Sequence, residues 1–229
     1  MTGASADPAA AWVAPLATLR LLQLSDSQFP VGAFAHSNGI EAYAEDGLDV
    51  EGLERLLACE LDLGWGRLDV AAWVLAWRAP GPADLRPLGE EVSAWKPVPG
   101  LRETSLRLGR RTLRLATRLW NGLDDLEALA EPHHALVAGA VAQRLSIPER
   151  EGALAYAHAT LVASLAAATR CMPLSPERAQ EIAVALHPRV VAAADRAFQA
   201  PRAHLWSATP GVDTAAHRQR FLRTRLFQS

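Results

Sequence analysis

Seven histidines and two cysteines are the side chains of this sequence best suited to hold a metal or to work as nucleophile and base. Their spacing argues against both roles. His133 and His134 are adjacent, which on a helix turns them about 100° apart and keeps them from sharing one ion. They read as capping and surface residues. His158 sits in an Ala/Leu stretch and reads as a hydrogen-bonded core or interface histidine. His36, His187, His204 and His217 stand alone. Cys171, just before Met172 and Pro173, has no partner at ligand spacing and reads as a buried, inert thiol. Cys59 is remote from it, and the absence of CxxC or a paired-cysteine framework fits a reducing cytosol.

The carboxylate pairs Glu90-Glu91 and Asp124-Asp125 look like helix-start or surface charges rather than an acid and a base. A GxxxxGK[ST] loop is impossible, because Lys96 is the only lysine and lies in Trp-Lys-Pro-Val. GxGxxG after a strand, HExxH and GxSxG are missing as well. No nucleophile, base and orienting group form a set. The sequence therefore points to a binding or assembly role, with no catalytic residue, no cofactor and no resident metal.

The frame for such a role is helical. Of 229 residues, 50% are hydrophobic and 21% charged, enough for a substantial core and too apolar for wholesale disorder. A net charge of −2 disfavours a general nucleic-acid binder. Residues 1–11 are small and polar without a basic start and apolar core, so no signal peptide is expected. The apolar stretch 153–168, interrupted by His158, Thr160 and Ser164, reads as a buried helix and as too weak for a membrane span.

Alternating strand patterns are lacking, and Pro and Gly cut the chain into helical pieces. Helices are expected over 16–28, 34–45, 50–63, 68–78, 84–95, 102–120, 124–129, 133–145 and 148–170. Ser175 as cap and Pro176 as first residue start another, which should stop before Pro188 and resume over 190–199. Residues 96–100 and 200–211 are expected as loops. The expected fold is all-α, a single-domain helical bundle over 1–229, with 1–11 and 217–229 flexible or ordered by a partner.

On a helical wheel, segment 102–120 has four sides. Leu101, Leu108, Leu115 and Leu119 form one apolar stripe, and Leu106, Leu113 and Trp120 a second. Arg107, Arg110, Arg111, Arg114 and Arg118 make a basic face, and Ser105, Gly109, Thr112 and Ala116 a small-residue face. A mid-helix glycine costs about 1 kcal/mol against alanine, so Gly109 is expected where another backbone comes close.

Three segments carry more than scaffold composition. The first, 21–41, reads LLQLSDSQFPVGAFAHSNGIE. The second is Arg102-Glu103-Thr104 running into Gly109-Arg110. The third is the tail, where Arg218, Arg220, Arg223 and Arg225 interleave with Phe221, Leu222, Leu226 and Phe227. A basic, aromatic tail suits docking on an acidic groove.

These segments resemble the urease accessory protein F family. Its N-terminal signature of Leu-Leu-Gln-Leu, a polar stretch, Pro-Val-Gly, an aromatic and a Ser-x-Gly-Leu-Glu-like end is similar to 21–41. Its Arg-Glu-Thr and Gly-Arg motif matches Arg102 to Thr104 and Gly109-Arg110, and its Arg-Leu-Phe-x-Ser end matches 225–229. The helix 152–168 followed by Arg170-Cys-Met-Pro-Leu174 resembles the family's last core helices. The chain departs from the pattern at His36, where the family has Tyr, at Gln219 and Arg220, where it has His-Glu, and near Arg223, where it has Tyr. The stretch between Pro80 and Leu101 is short.

The resemblance implies an all-α, dimerising, non-enzymatic assembly factor of the cytoplasm. It would bridge the accessory protein called D or H and the nickel-carrying GTPase called G, and act on apo-urease, with nickel at most in transit. Neither nucleic acid nor membrane is implied. Partner contact is assigned to Pro30, Gly32, His36, Ser37, Gly39 and Glu41, to Arg102, Glu103 and Arg110, and to Arg218, Arg223, Arg225, Leu226 and Phe227. The alternative is an all-helical regulator or scaffold without a urease link.

Overall fold

The structure, a computed structural model, describes residues 15–32 and 36–228, and among them every regular element is helical. In chain order these are α1 (Pro15–Ser25), α2 (Ile40–Glu45), α3 (Val50–Leu63), α4 (Trp65–Arg78), α5 (Pro82–Trp95) and α6 (Pro99–Leu119). A 3-10 turn (Asp124–Ala128) leads to α7 (His134–Arg144), α8 (Glu149–Cys171), α9 (Pro176–Gln199), α10 (Pro201–His204) and α11 (Pro210–Gln219). The expected all-α class is what is found.

Local chemistry sets several boundaries. The Asp49 side chain accepts from Gly52 N at 2.7 Å and caps α3. Ser175 accepts from Arg178 N at 3.1 Å and caps α9, with Pro176 at the first position as the sequence indicates. The expected break at Pro188 does not occur: α9 runs through it. Proline removes one N–H, leaving the Val184 carbonyl without its helical donor. Val184 is 63% exposed, so water can serve that carbonyl. Residues 201–204 and 210–211 of the expected loop and 217–219 of the expected tail are helical, within α10 and α11, each of which opens on a proline at its first position. The helix expected over 34–45 is ordered from Ile40; its residues 34 and 35 lie outside the described residues.

The core forms around α4, whose Val70, Ala71, Ala72, Trp73, Val74 and Ala76 are all buried. It packs chiefly on α7 and α9, and also on α3, α8 and α10. The Trp77 indole N–H donates to Ile147 O at 2.9 Å and ties α4 to the turn before α8. By length and composition alone α8 is long and apolar enough to cross a membrane, where the sequence reading expected too weak a stretch. In the fold its Ala153, Ala157, Leu161, Leu165 and Ala168 are buried.

Helix α6 packs on the face where the sequence places its glycine. Its deepest face is the small-residue one, where Gly109, Thr112 and Ala116 are buried along with Leu113. A Cβ built on Gly109 would lie 1.7 Å from the Pro132 carbonyl oxygen, so the expected close approach is to the strand of chain entering α7. Leu101, Leu106, Leu108 and Leu115 of the stripes flank that contact half-buried, and Leu119 is 47% exposed.

Candidate functional site

The turn into α2 is built on two residues in the left-handed region, Asn38 (φ 52°) and Gly39 (φ 94°). A side chain at Gly39 would be strained by that φ and would also press 3.1 Å from Ala216 N. This turn aims Ser37, Gly39 N and Glu41 at one side chain of α11. The Ser37 hydroxyl donates to Gln219 Oε1 at 2.9 Å, and Gly39 N donates to the same oxygen at 3.1 Å. Gln219 Nε2 donates to Glu41 Oε2 at 2.8 Å. The other Glu41 oxygen accepts from Leu226 N at 2.5 Å. Ser37, Glu41 and Gln219 are each at most 3% exposed, so this polar cluster is sealed from water and its bonds hold both ends of the chain in register.

The tail after α11 folds back over this cluster. Phe227 is 3% exposed, with the Arg170 guanidinium over its ring at 4.5 Å. Arg107 of α6 donates to Gln228 Oε1 at 3.2 Å. Arg218 forms a two-point pair with Asp46 at 2.8 Å for each bond. Within 217–228 the buried residues are Gln219 and Phe227, so these two anchor the tail on the chain's own body. Arg223, Arg225 and Leu226 remain exposed beside Phe227, and Phe221 is 69% exposed.

The first segment reaches the same place from the other side. Phe29 stacks on Trp120 with ring centres 6.3 Å apart, and Arg111 donates to Val31 O at 3.4 Å. Gly32 (φ 83°) lies against the Arg111 guanidinium, and Pro30 is exposed. His36 is 5% exposed; burial, then Arg107 and Arg111, hold its imidazole down at about 4, so it sits there as a neutral ring at neutral pH. Segment 29–41, the middle of α6 and the tail thus form one region. Arg102 and Glu103 lie at the start of α6, where Arg102 donates to Lys96 O at 2.9 Å and Glu103 is exposed. Arg110 is exposed on the basic face with Arg111, Arg114 and Arg118.

A cavity of about 530 Å³ lies beside this region, lined by residues between 21 and 38 and by α3, α4, α6, α7, α8 and the start of α11, and the sequence did not reveal its polar lining. Glu60 of α3 faces it, and burial pushes that carboxyl up to about 7 despite the Thr209 hydroxyl and Lys96, which oppose the shift. Lys96 bridges to Asp69 at 2.9 Å. Burial also raises Asp213. His134 lines the same space, its ring 5.6 Å from that of Tyr156, and burial lowers it to about 4. Glu60 was legible in principle: it falls seven residues after Leu53 and three after Leu57, on the face those buried leucines define.

Two histidine readings are corrected. His133 is not at the surface: it is 0% exposed, with Nδ1 3.0 Å from Ser105 Oγ and Nε2 2.9 Å from Ser93 Oγ, and burial lowers it to about 4. A histidine with both nitrogens bonded is satisfied in a core. His158 is not in the core: it is exposed and faces His187 across 5.5 Å. Cys171 is half-buried, its thiol held by Ala167 O at 3.4 Å and raised to about 11 by burial. No three of His, Cys, Asp and Glu converge among the described residues.

The UreF family model matches residues 48–187. The urease accessory protein UreF of Bradyrhizobium sp. (strain ORS 278) is 33% identical over 97% of this chain and 96% of its own length. That of Rhodopseudomonas palustris (strain BisB5) is 32% identical over 92% of this chain and 90% of its own. That of Trichodesmium erythraeum (strain IMS101) is 29% identical, over 91% and 95%.

Proposed function

This chain belongs to the UreF family of urease accessory proteins, and we propose on that premise that it is a non-catalytic assembly factor for nickel insertion into apo-urease. In this role it bridges the D/H accessory protein and the nickel-carrying G GTPase, as a homodimer in the cytoplasm. Nickel is its cargo rather than its cofactor.

One observation carries the reading. Three segments far apart in sequence, 29–41, the arginine side of α6 and the tail, come together as one region whose inner residues are locked and whose outer residues are exposed arginines and apolar side chains. A locked base under an exposed Arg223, Arg225 and Leu226 suits recognition of an acidic partner, since little ordering remains to be done on binding. Leu16, Leu19 and Leu22 of α1 are each more than half exposed and recur every three residues, which supports a further protein interface.

The test is reconstitution. In a urease-expressing host lacking its own accessory protein of this family, the chain is expected to restore urease activity and the nickel content of urease, and to co-purify with the D/H protein and the GTPase. Folded protein that restores neither overturns the proposal.

A further inference from the structure

Helices α8 and α9 run antiparallel, joined by the short turn 172–175. Their facing residues step in register. Arg150 meets Asp195 at 3.8 Å, and His158 meets His187 with ring centres 5.5 Å apart. From 150 to 158 is eight residues forward, and from 195 to 187 eight back, so one seam carries both pairs. Midway on that seam, Leu154 and Val191 are 39% and 47% exposed. The seam faces outward, and both imidazoles are exposed on it.

Two imidazoles presented from separate rigid helices can share an ion. A metal-bound imidazole nitrogen lies about 2.0–2.1 Å from the ion and the ring centre roughly 1.1 Å beyond, so a tetrahedral angle puts two ring centres about 5 Å apart. The observed 5.5 Å is within a small side-chain adjustment of that. We propose that His158 and His187 form a surface site for one divalent transition ion of the imidazole-preferring class, Zn²⁺, Ni²⁺ or Cu²⁺, with water in the remaining positions.

The other histidines do not compete as pairs. His36 is buried, His133 has both nitrogens bonded, His204 Nδ1 lies 2.6 Å from the Arg67 guanidinium, His134 packs on Tyr156 and His217 on Phe221. With two protein ligands, the site binds more weakly than a closed four-ligand centre. The inference stands apart from the assembly role, because it rests on α8 and α9 alone.

The test is calorimetric titration of the untagged, chelator-stripped full chain with Zn²⁺. One saturable equivalent is expected for the wild type and for His217→Gln. His158→Gln and His187→Gln should each weaken binding by about tenfold or more, the scale seen even for losses around a metal site. Both residues are exposed, so the metal-free variants should keep the wild-type circular dichroism and Tm. Zn²⁺ should raise the Tm of the wild type and not of the double variant. Absence of saturable binding by the wild type, or wild-type affinity in His158→Gln/His187→Gln, overturns the site.

Discussion

Gln219 and Glu41, separated by 178 residues, are joined by a 2.8 Å hydrogen bond that no solvent reaches, with each side chain at most 3% exposed. The bond fixes α11 on α2. The same glutamine's oxygen serves Ser37 and Gly39 N, so one amide fills three demands. Gln219→Leu would strand one oxygen of the Glu41 carboxylate and two donors. A loss on the order of 2 kcal/mol in urea denaturation is expected, from leaving buried polar groups unsatisfied.

The proposed docking role of the tail can be tested apart from its part in stability. Phe227→Ala removes a buried ring and should cost about 2 kcal/mol or more in folding stability. Arg223→Glu/Arg225→Glu changes only exposed charges, so stability should stay within about 0.5 kcal/mol. That variant should nonetheless lose co-purification with the D/H protein. Retained complex with reversed charges would show that the tail arginines do not recognise the partner.

Gly109→Ala is expected to be far worse than an ordinary helix-favouring change. The added carbon would overlap the Pro132 carbonyl at 1.7 Å, forcing α6 and the entry to α7 apart. A cost of about 3 kcal/mol or insoluble expression should follow, against the roughly 1 kcal/mol gain that propensity alone predicts. A thermal melt compared with Gly100→Ala, where nothing lies within 4 Å, checks it.

Acid should destabilise the fold through its histidines. His36, His133 and His134 are each lowered from 6.5 to about 4 by burial, so the unfolded chain binds more protons than the folded one in between. Their contribution is fully present above about 6.5 and drains away as pH falls toward 4. Glu60 has the opposite sign. Its folded value is raised from 4.5 to about 7, so it favours folding fully below 4.5 and loses that contribution as pH rises through 7. Glu60→Gln should therefore gain stability relative to wild type between pH 5 and 8, measured as a difference in denaturation midpoints. A constant difference across that range would count against a protonated Glu60.

Much of this architecture was legible in the sequence. Leucine spacing gave α3 to the residue, and Ser175-Pro176 gave the start of α9. The proline rule that located Pro176 applies equally at Pro201 and Pro210, where composition suggested loop instead. Pro188 was misread because a proline's cost falls on one carbonyl, and solvent can meet that need when the helix face is exposed. The three motif segments were visible, while their convergence was not, since Gln219 bonds to residues nearly the whole chain away. His133 and His158 exchanged their expected surroundings for a related reason. Neighbouring residues told nothing of Ser93 and Ser105, which satisfy the first, or of His187, which faces the second.

Lys96 is the only lysine of the sequence, and its ammonium is tucked against Asp69 with 14% of the side chain exposed at the cavity wall. Amine-directed reagents consequently find a single side-chain target, placed where the interior meets solvent. Its labelling rate becomes a natural gauge of how often that chamber opens, and of whether a bound partner shuts it.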